Sequence, residues 1–203
     1  MEIRAYLEFL NLAEKLKCNT RHSYTSSGRH ESVAEHSWRL ALMAYLLRDE
    51  FPEADIDKVI RMCLFHDMVE AVTGDIPCFE KTAGDEAAEE TAVSRLLKRL
   101  PAPYGREVEL LFEEMRKQET TEARLYKALD KLEALIQHNE ADISTWLPLE
   151  YDLQMTYGTG ECSFSEYLHR LRDAVREDSA QKIEEASGAK KDRIMGGRTD
   201  GAD

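Results

Sequence analysis

The stretch Cys63-Leu64-Phe65-His66-Asp67-Met68-Val69-Glu70 decides how this chain is interpreted. An apolar run ends in an adjacent His66 and Asp67, and Glu70 follows one helical turn after His66. On a continuous helix, His66 and Glu70 would lie one above the other on the same face. A histidine and two carboxylates at the end of a buried helix are costly to desolvate unless a partner compensates them. A metal ion would be such a partner, so the rest of the chain is interpreted as the scaffold that brings further ligands to this point.

The composition favours one soluble, helical domain. Of the 203 residues, 42% are hydrophobic and 33% are charged, as in an ordinary globular protein. Only five prolines and ten glycines interrupt the sequence, and several of the glycines fall near its end. We predict one domain over residues 1–185. Residues 186–203 lack apolar periodicity, and we predict a disordered tail there.

The net charge argues against a nucleic-acid-binding protein, and the cysteines indicate a reducing compartment. A formal net charge of −13 argues against a nucleic-acid polymer as partner, because such binding needs clustered Lys and Arg. No apolar run is long enough to span a membrane, and the N-terminus does not resemble a signal peptide. The cysteines are Cys18, Cys63, Cys78 and Cys162, and none forms a CxxC motif. They are interpreted as reduced thiols in a cytoplasmic protein.

Apolar residues recur at helical spacing along most of the chain, and no segment alternates as a strand would. We therefore predict an all-α fold. The predicted helices cover residues 4–17, 33–48, about 56–73, 85–100, 105–118, 121–140 and about 165–185. The polar stretches 19–31 and 142–163 are predicted to be loops.

The helix that begins after residue 32 carries a candidate ligand. Ser32-Val33-Ala34-Glu35 matches a capping box, in which Ser and Glu side chains satisfy free N–H groups at a helix start. His36 follows, and it shares one helical face with the apolar Leu40, Met43 and Leu47. A lone His on an apolar face is usually a packed core residue. The second His on another apolar helix, directly followed by Asp67, shifts the balance towards a metal site.

Two further carboxylates lie at informative positions. Asp130 continues a stripe that begins with Ala123 and Tyr126, so it either pairs with a nearby lysine or binds a metal. Spacing alone favours pairing with Lys127 or Lys131. Asp75 follows the predicted end of the helix at Gly74, and it is either a plain turn residue or a group that points back to the His-Asp pair.

Taken together, His36, His66, Asp67 and Asp130 form a mixed nitrogen and oxygen set. Such a set suits one divalent ion of Mn, Co, Ni, Fe or Zn, and it leaves positions open for water and substrate. A metal at such a site lowers the pKa of bound water and offsets charge on a phosphoryl oxygen.

The order His36 … His66-Asp67 … Asp130 resembles the H…HD…D pattern of the HD-domain superfamily of metal-dependent phosphohydrolases, which are all-α bundles. More narrowly, four blocks are similar to those of the YfbR-like 5′-deoxynucleotidases and the related HD domain-containing protein 2 group. They are Glu31-Ser32-Val33-Ala34-Glu35-His36-Ser37, His66-Asp67-Met68-Val69-Glu70, Thr73-Gly74-Asp75-Ile76-Pro77 and Lys127-Ala128-Leu129-Asp130-Lys131. The similarity covers roughly residues 5–180.

The resemblance implies a role for each matching residue. It makes His36, His66, Asp67 and Asp130 the metal ligands, which for Asp130 reverses the preference from spacing. It assigns Glu70 to the attacking water and Asp75 to protonation of the leaving oxygen. It places Arg21 on the phosphate, where a bidentate guanidinium is well suited.

The implied enzyme is a hydrolase that converts (deoxy)nucleoside 5′-monophosphates to nucleoside and phosphate, and it is a homodimer. The chain departs from the bacterial branch at His22, where that branch has a Trp that crowds the sugar 2′ position. The resemblance therefore does not extend to discrimination against ribonucleotides. Two alternatives are an HD hydrolase that acts on another phosphoester or a nucleoside triphosphate, and a non-catalytic nucleotide-binding regulator.

Overall fold

Helices make up most of the chain, which confirms the predicted fold class. The computed structural model describes residues 2–73, 91–101 and 103–196. The helices in chain order are α1 Ile3–Ala13, α2 Val33–Leu46, α3 Ile56–Phe65, α4 Glu70–Thr73, α5 (91–97), α6 Tyr104–Lys117, α7 Thr121–Glu140, α8 Pro148–Thr156, α9 Thr159–Cys162 and α10 Glu166–Gly196. Short 3-10 segments cover Glu14–Lys17, Arg48–Glu50 and Ile143–Thr145. No helix in the described ranges has both the length and the apolar character needed to cross a membrane.

Helix α7 is the central element of the fold. It packs against α2, α3, α6, α9, α10 and the first strand. Its buried apolar residues include Leu125, Leu129, Leu132 and Leu135. Because α7 is covered on several sides, polar side chains on it that point inward must find partners within the protein.

Helix α2 begins as the sequence predicts. The Ser32 side chain accepts from the backbone N–H of Glu35, and the Glu35 carboxylate accepts from the backbone N–H of Ser32, so the capping box is confirmed. The helix then packs on both α3 and α7. The cap fixes where α2 starts, and His36 therefore enters the space between these helices in its first turns.

Helix α3 ends earlier than predicted. Its last residue is Phe65, and His66 is the C-cap, whose backbone N–H donates to Met62 O at 2.9 Å. A turn over residues 66–69 separates it from the short α4, which begins at Glu70. His66 and Glu70 are therefore not on one continuous helix, and the prediction of a single helix to about residue 73 was wrong.

The stretch 19–31, predicted as a loop, contains an antiparallel hairpin. Strand β1 is Thr20–Tyr24 and strand β2 is His30–Ser32, with Thr20 opposite Ser32 and Tyr24 opposite His30. Their side chains are mostly polar, so no apolar alternation marks them in the sequence. Contacts between β1 and α7 hold the hairpin in place, and such context often decides strand formation.

The stretch 142–163, also predicted as a loop, contains α8 and α9. These helices have nine and four residues, too few for a clear apolar period. The buried Arg172 of α10 stabilises the end of α8, since its guanidinium donates to the carbonyls of Gln154 and Tyr157 at 2.7 Å each. Gly158 joins the two helices with a φ of +75°, a backbone conformation that glycine adopts without strain.

The last helix continues past the predicted domain boundary. Helix α10 runs from Glu166 to Gly196, whereas we predicted a tail from residue 186. The extra segment contains Ala, Lys and Arg, which are good helix formers, and no proline interrupts it. Residues 197–203 lie outside the described part of the chain, and the boundary of the folded domain at 185 stays a prediction.

Candidate metal centre

Four polar side chains meet where α2, α3 and α7 come together. His36 comes from the start of α2, His66 and Asp67 from the end of α3, and Asp130 from the middle of α7. The two imidazoles are 1% and 5% exposed, and the two carboxylates 20% and 17%. The site is therefore a recess with buried nitrogens and partly accessible oxygens.

The donor atoms of these residues are closely spaced. His36 Nε2 lies 3.3 Å from His66 Nε2 and 3.3 Å from Asp130 Oδ1. His66 Nε2 lies 3.0 Å from Asp67 Oδ2 and 3.9 Å from Asp130 Oδ1. His36, His66 and Asp67 thus form a group that can bind a metal ion, and Asp130 adds an oxygen on the α7 side.

These distances fit a divalent cation. Bonds from zinc to nitrogen and oxygen ligands are about 2.0–2.2 Å long, so neighbouring donors around one ion lie about 3.0–3.4 Å apart. Three of the distances above fall in that range. Two imidazoles with two carboxylates also suit several first-row transition metals. The residues present therefore fit the ion that their types predicted.

The main chain fixes the orientation of His66. Its Nδ1 lies 2.7 Å from the carbonyl oxygen of Cys63, which can only accept, so Nδ1 is the donor. The lone pair of Nε2 then faces the donor group. A metal-binding histidine commonly has its second nitrogen hydrogen-bonded in this way.

A carboxylate orients His36 in the same manner. His36 Nδ1 donates to Oε2 of Glu133, one turn after Asp130 on α7. Glu133 is fully buried, with 0% exposure. As with His66, the Nε2 atom is left to face the other donors.

Attraction between opposite charges shifts the pKa values of Asp67, Asp130 and His36. Burial acts to raise the pKa of Asp67, but the neighbouring His66 outweighs it and lowers the pKa to about 2. For Asp130, burial is likewise outweighed, mainly by Lys127, and the pKa falls well below its ordinary value. Burial and Arg21 act to lower the pKa of His36, but Glu133 and Asp130 raise it to about 10. His36 must therefore lose a proton before Nε2 can bind a cation.

The surroundings of Asp130 confirm its pairing with a lysine and are compatible with a role as a metal ligand. Its Oδ2 accepts from Lys127 Nζ at 2.8 Å, the pairing that spacing favoured. Its Oδ1 faces His36 Nε2 instead of solvent. The pairing and the position in the donor group are therefore compatible, because the two carboxylate oxygens have different neighbours.

Arg21 lies beside this group, on β1. Its Nε is 3.7 Å from Glu31 Oε2 and its Nη1 is 3.7 Å from Glu133 Oε2. Burial acts to lower the pKa of the guanidinium, but Glu133 and other acids, including Asp67, raise it. Nη1 is buried and forms no hydrogen bond within the described residues, so this donor is available to an anionic ligand.

His22 faces a different neighbourhood. Its Nε2 lies 3.2 Å from Oε1 of the buried Glu150, and His138 approaches the same oxygen at 3.5 Å. Successive residues of a strand point to opposite faces, which explains why His22 and Arg21 have different partners. Burial is the main cause that lowers the pKa of His138. The structure thus places His22 next to α8 and the end of α7, away from the four donors.

Of the two predicted acid–base residues, the structure describes Glu70 only. Glu70 begins α4, four residues after His66, and its Oε2 is buried. Its backbone carbonyl accepts from Asn19 Nδ2 at 2.5 Å, which ties α4 to the segment before β1. Asp75 lies outside the described residues.

Sequence reasoning missed two buried carboxylates, Glu31 and Glu133. Glu133 is one turn from Asp130, so the helical period placed it on the same face of α7, but no motif drew attention to it. Glu31 opens the block that carries His36, yet it received no role of its own. Burial and the nearby Glu133 raise the pKa of Glu31 to about 7, with Arg21 acting in the opposite direction.

The family model of the HD domain matches residues 13–172, which include all four donors. The chain belongs to the HD-domain family. The HD-domain residues His36, His66, Asp67 and Asp130 appear in the expected H…HD…D order.

Curated and solved relatives place this HD domain among metal-dependent phosphohydrolases of the HDDC2-like 5′-deoxynucleotidase group. The 5′-deoxynucleotidase HDDC2 of Homo sapiens is 34% identical over 141 residues, 68% of either chain. That of Danio rerio is 28% identical over 189 residues, 91% of this chain and 92% of its own. A predicted metal-dependent phosphohydrolase from Magnetospirillum magnetotacticum MS-1 superposes with a TM-score of 0.75 at 31% identity, covering 89% of this chain and 93% of that chain.

Proposed function

We propose that the chain is a 5′-deoxynucleotidase that converts a deoxynucleoside 5′-monophosphate and water to a deoxynucleoside and phosphate. The observation that carries the proposal is the convergence of two imidazoles and two carboxylates beside a half-buried arginine. Relatives named as 5′-deoxynucleotidases give the substrate class.

The proposed metal ligands are His36, His66, Asp67 and Asp130, which together would hold one divalent ion. When bound, the ion supplies an acidified water and positive charge beside the phosphoryl oxygens. The short distances between the donor atoms support the assignment. The two histidines are each fixed through Nδ1, so little rearrangement would accompany binding.

Arg21 is the proposed phosphate ligand. Its guanidinium is always protonated, and the acids around it raise its pKa further. Its closest carboxylate atoms are at 3.7 Å, too far for tight hydrogen bonds, so its donors can turn to a phosphate. We propose that His22, which lies 3.2 Å from Glu150, contacts the substrate beyond the phosphate.

Glu70 and Asp75 are the proposed base and acid. Glu70 would accept the proton of the water whose oxygen forms the new bond to phosphorus. Asp75 would donate a proton to the O5′ atom as its bond to phosphorus breaks. The two proton transfers together leave phosphate and a neutral nucleoside hydroxyl. The buried Oε2 of Glu70 supports an environment in which a carboxylate can act as a base.

A cytoplasmic homodimer is the proposed physiological form. Cys18, Cys63 and Cys162 are free thiols, as predicted, which is usual in a reducing compartment, while Cys78 lies outside the described residues. Helix α2 exposes a stripe of apolar side chains at helical spacing: Trp38, Leu42, Tyr45 and Leu46. Trp38 is 64% exposed and Leu46 67%, and a second copy of the chain is the partner we propose for this surface.

Phosphate release from a substrate panel tests the proposed function. Purified full-length protein is loaded with Mn²⁺ or Co²⁺ and given matched deoxynucleoside and nucleoside 5′-monophosphates, a nucleoside triphosphate and a simple aryl phosphate. We expect release from the deoxynucleoside monophosphates at the highest kcat/KM. Metal-bound protein that releases phosphate from no nucleoside monophosphate contradicts the proposal, and a preference for the triphosphate favours the alternative hydrolase.

A further inference from the structure

The fully buried Glu133 orients His36, but its contacts with two arginines and its effect on metal binding have no role in the proposal above. It lies one turn from Asp130 on α7, and its carboxylate contacts a histidine and two arginines. A buried carboxylate is costly unless its partners compensate it. Its retention at the centre of the fold therefore calls for a reason beyond packing.

The contact with His36 defines the direction of the hydrogen bond. Guanidinium nitrogens of Arg21 and Arg39 lie 3.7 Å from the two oxygens of Glu133, so the group is a carboxylate and can only accept. His36 Nδ1 must then carry the proton of this hydrogen bond. The imidazole is held with Nε2 towards His66 and Asp130, each 3.3 Å away.

Two guanidinium groups keep Glu133 charged. Arg21 Nη1 lies 3.7 Å from Oε2, the oxygen that also accepts from His36. Arg39 Nε lies 3.7 Å from Oε1, while its two Nη atoms donate to Glu140 at 2.6 and 2.8 Å. Glu133 thus connects the first proposed metal ligand to the proposed phosphate ligand.

From these contacts we infer that Glu133 is a positioning residue that selects the tautomer of His36 and raises its basicity towards the metal. The inference rests on the proposed metal site. Carboxylates that hold a metal-bound histidine typically change metal affinity by about 10- to 100-fold when they are removed.

A competing interpretation of the same residues is a second cation site. Glu31, His36 and Glu133 are all buried, and one potential ligand atom of each lies within 4.8 Å of the others. However, Arg21 lies 3.7 Å from both carboxylates and already supplies the positive charge that a second ion would bring. We therefore expect one ion per chain.

Calorimetric titration of the metal-free full-length protein with Mn²⁺ or Zn²⁺ tests the inference without reference to phosphatase activity. Glu133→Gln keeps the size and an acceptor oxygen but removes the charge. We expect one ion per wild-type chain and a 10- to 100-fold weaker affinity in the variant. The matched control is Glu140→Gln, which alters a carboxylate on the same helix that pairs with Arg39 but does not touch His36, and it should change affinity by less than twofold.

A folded Glu133→Gln variant, judged by its unfolding temperature, that binds metal within twofold of wild type overturns the inference. Two ions per wild-type chain would also overturn it, in favour of the second-cation interpretation. The ¹⁵N resonances of His36 in the zinc-loaded wild-type protein give a test that does not depend on a variant. We expect a proton on Nδ1, and an unprotonated Nδ1 contradicts the inference. A wild-type protein that binds no metal would refute the proposed metal site itself. That result differs from a wild type that binds metal and a Glu133→Gln variant of equal affinity, which refutes only the role of Glu133.

Discussion

At the scale of single residues, two arginines on the hairpin have the same charge but different surroundings. Arg29 is 59% exposed and forms a bidentate ion pair with Glu35 at 2.6 and 2.9 Å. Arg21 is 17% exposed and lies between two carboxylates that are too far away for tight hydrogen bonds. Composition and spacing do not separate the two arginines, the family resemblance singles out Arg21, and the fold gives them different surroundings.

Arg21→Lys tests whether this difference matters for phosphate binding. Lysine keeps the charge opposite Glu31 and Glu133 but loses the planar fork that binds two phosphate oxygens at once. We expect the inhibition constant of inorganic phosphate and the KM for a deoxynucleoside monophosphate to rise about tenfold, a loss of about 1.4 kcal/mol, close to the lower end of the range for one hydrogen bond to a charged group.

The control for this prediction is Arg29→Lys on the same hairpin. It alters an exposed ion pair, which contributes little, so both constants should stay within twofold of wild type. Equal effects of the two substitutions, or no effect of Arg21→Lys, would show that Arg21 does not bind the phosphate.

At the scale of elements, the start of α2 sets the position of His36. The capping box joins Ser32 and Glu35, and His36 follows immediately. Because the histidine lies within the first turns of the helix, fraying at this end would move its imidazole away from α3 and α7. The cap thus contributes to the geometry of the site as well as to the stability of the helix.

Ser32→Ala removes the side-chain half of this cap. Substitution of an N-cap serine costs about 0.5–2 kcal/mol, and here the free energy of unfolding should fall by about 1 kcal/mol. Urea denaturation followed by circular dichroism measures the change. Ser27→Ala, which alters an exposed hydroxyl in the hairpin turn, should change the unfolding free energy by less than 0.5 kcal/mol, roughly the usual limit for such surface sites. A Ser32→Ala protein as stable as wild type would show that the cap is not needed.

Some elements and site residues could be predicted from the sequence, and others could not. The helices α2 and α7 and the donors His36, His66, Asp67 and Asp130 follow from apolar periodicity and a recurring motif. The hairpin does not, because its strands are polar and depend on contacts with α7. Glu133 was not predicted because its contacts are with residues far from it in the sequence, such as Arg21 on β1.

At the scale of the whole molecule, the apolar stripe on α2 is an exposed surface that a second copy of the chain could cover. Its side chains are large and apolar, and they lie on the face opposite the buried Leu40 and Ala44. A twofold arrangement would let the same surface of each copy cover the other.

Light scattering on a size-exclusion column tests the proposed homodimer. We expect twice the chain mass for the wild type, and a shift to the monomer for the double variant Trp38→Glu and Leu46→Glu, because each charge would be buried in the interface. Leu110→Glu on α6, at a residue that is 48% exposed, serves as the control and should leave the dimer intact. A monomeric wild type, or a double variant that remains dimeric, contradicts the proposal for this surface.

The central claim is that a metal held by His36, His66, Asp67 and Asp130 supports hydrolysis of deoxynucleoside monophosphates with Glu70 as the base. Its most direct test is phosphate release from one such substrate before and after removal of metal with a chelator. We predict that activity is lost on removal, returns with Mn²⁺ or Co²⁺ in the wild type, and stays about 10²- to 10⁴-fold lower in Glu70→Gln that has bound the same amount of metal. Hydrolysis that survives complete metal removal, or a metal-loaded Glu70→Gln enzyme as active as wild type, would contradict the account.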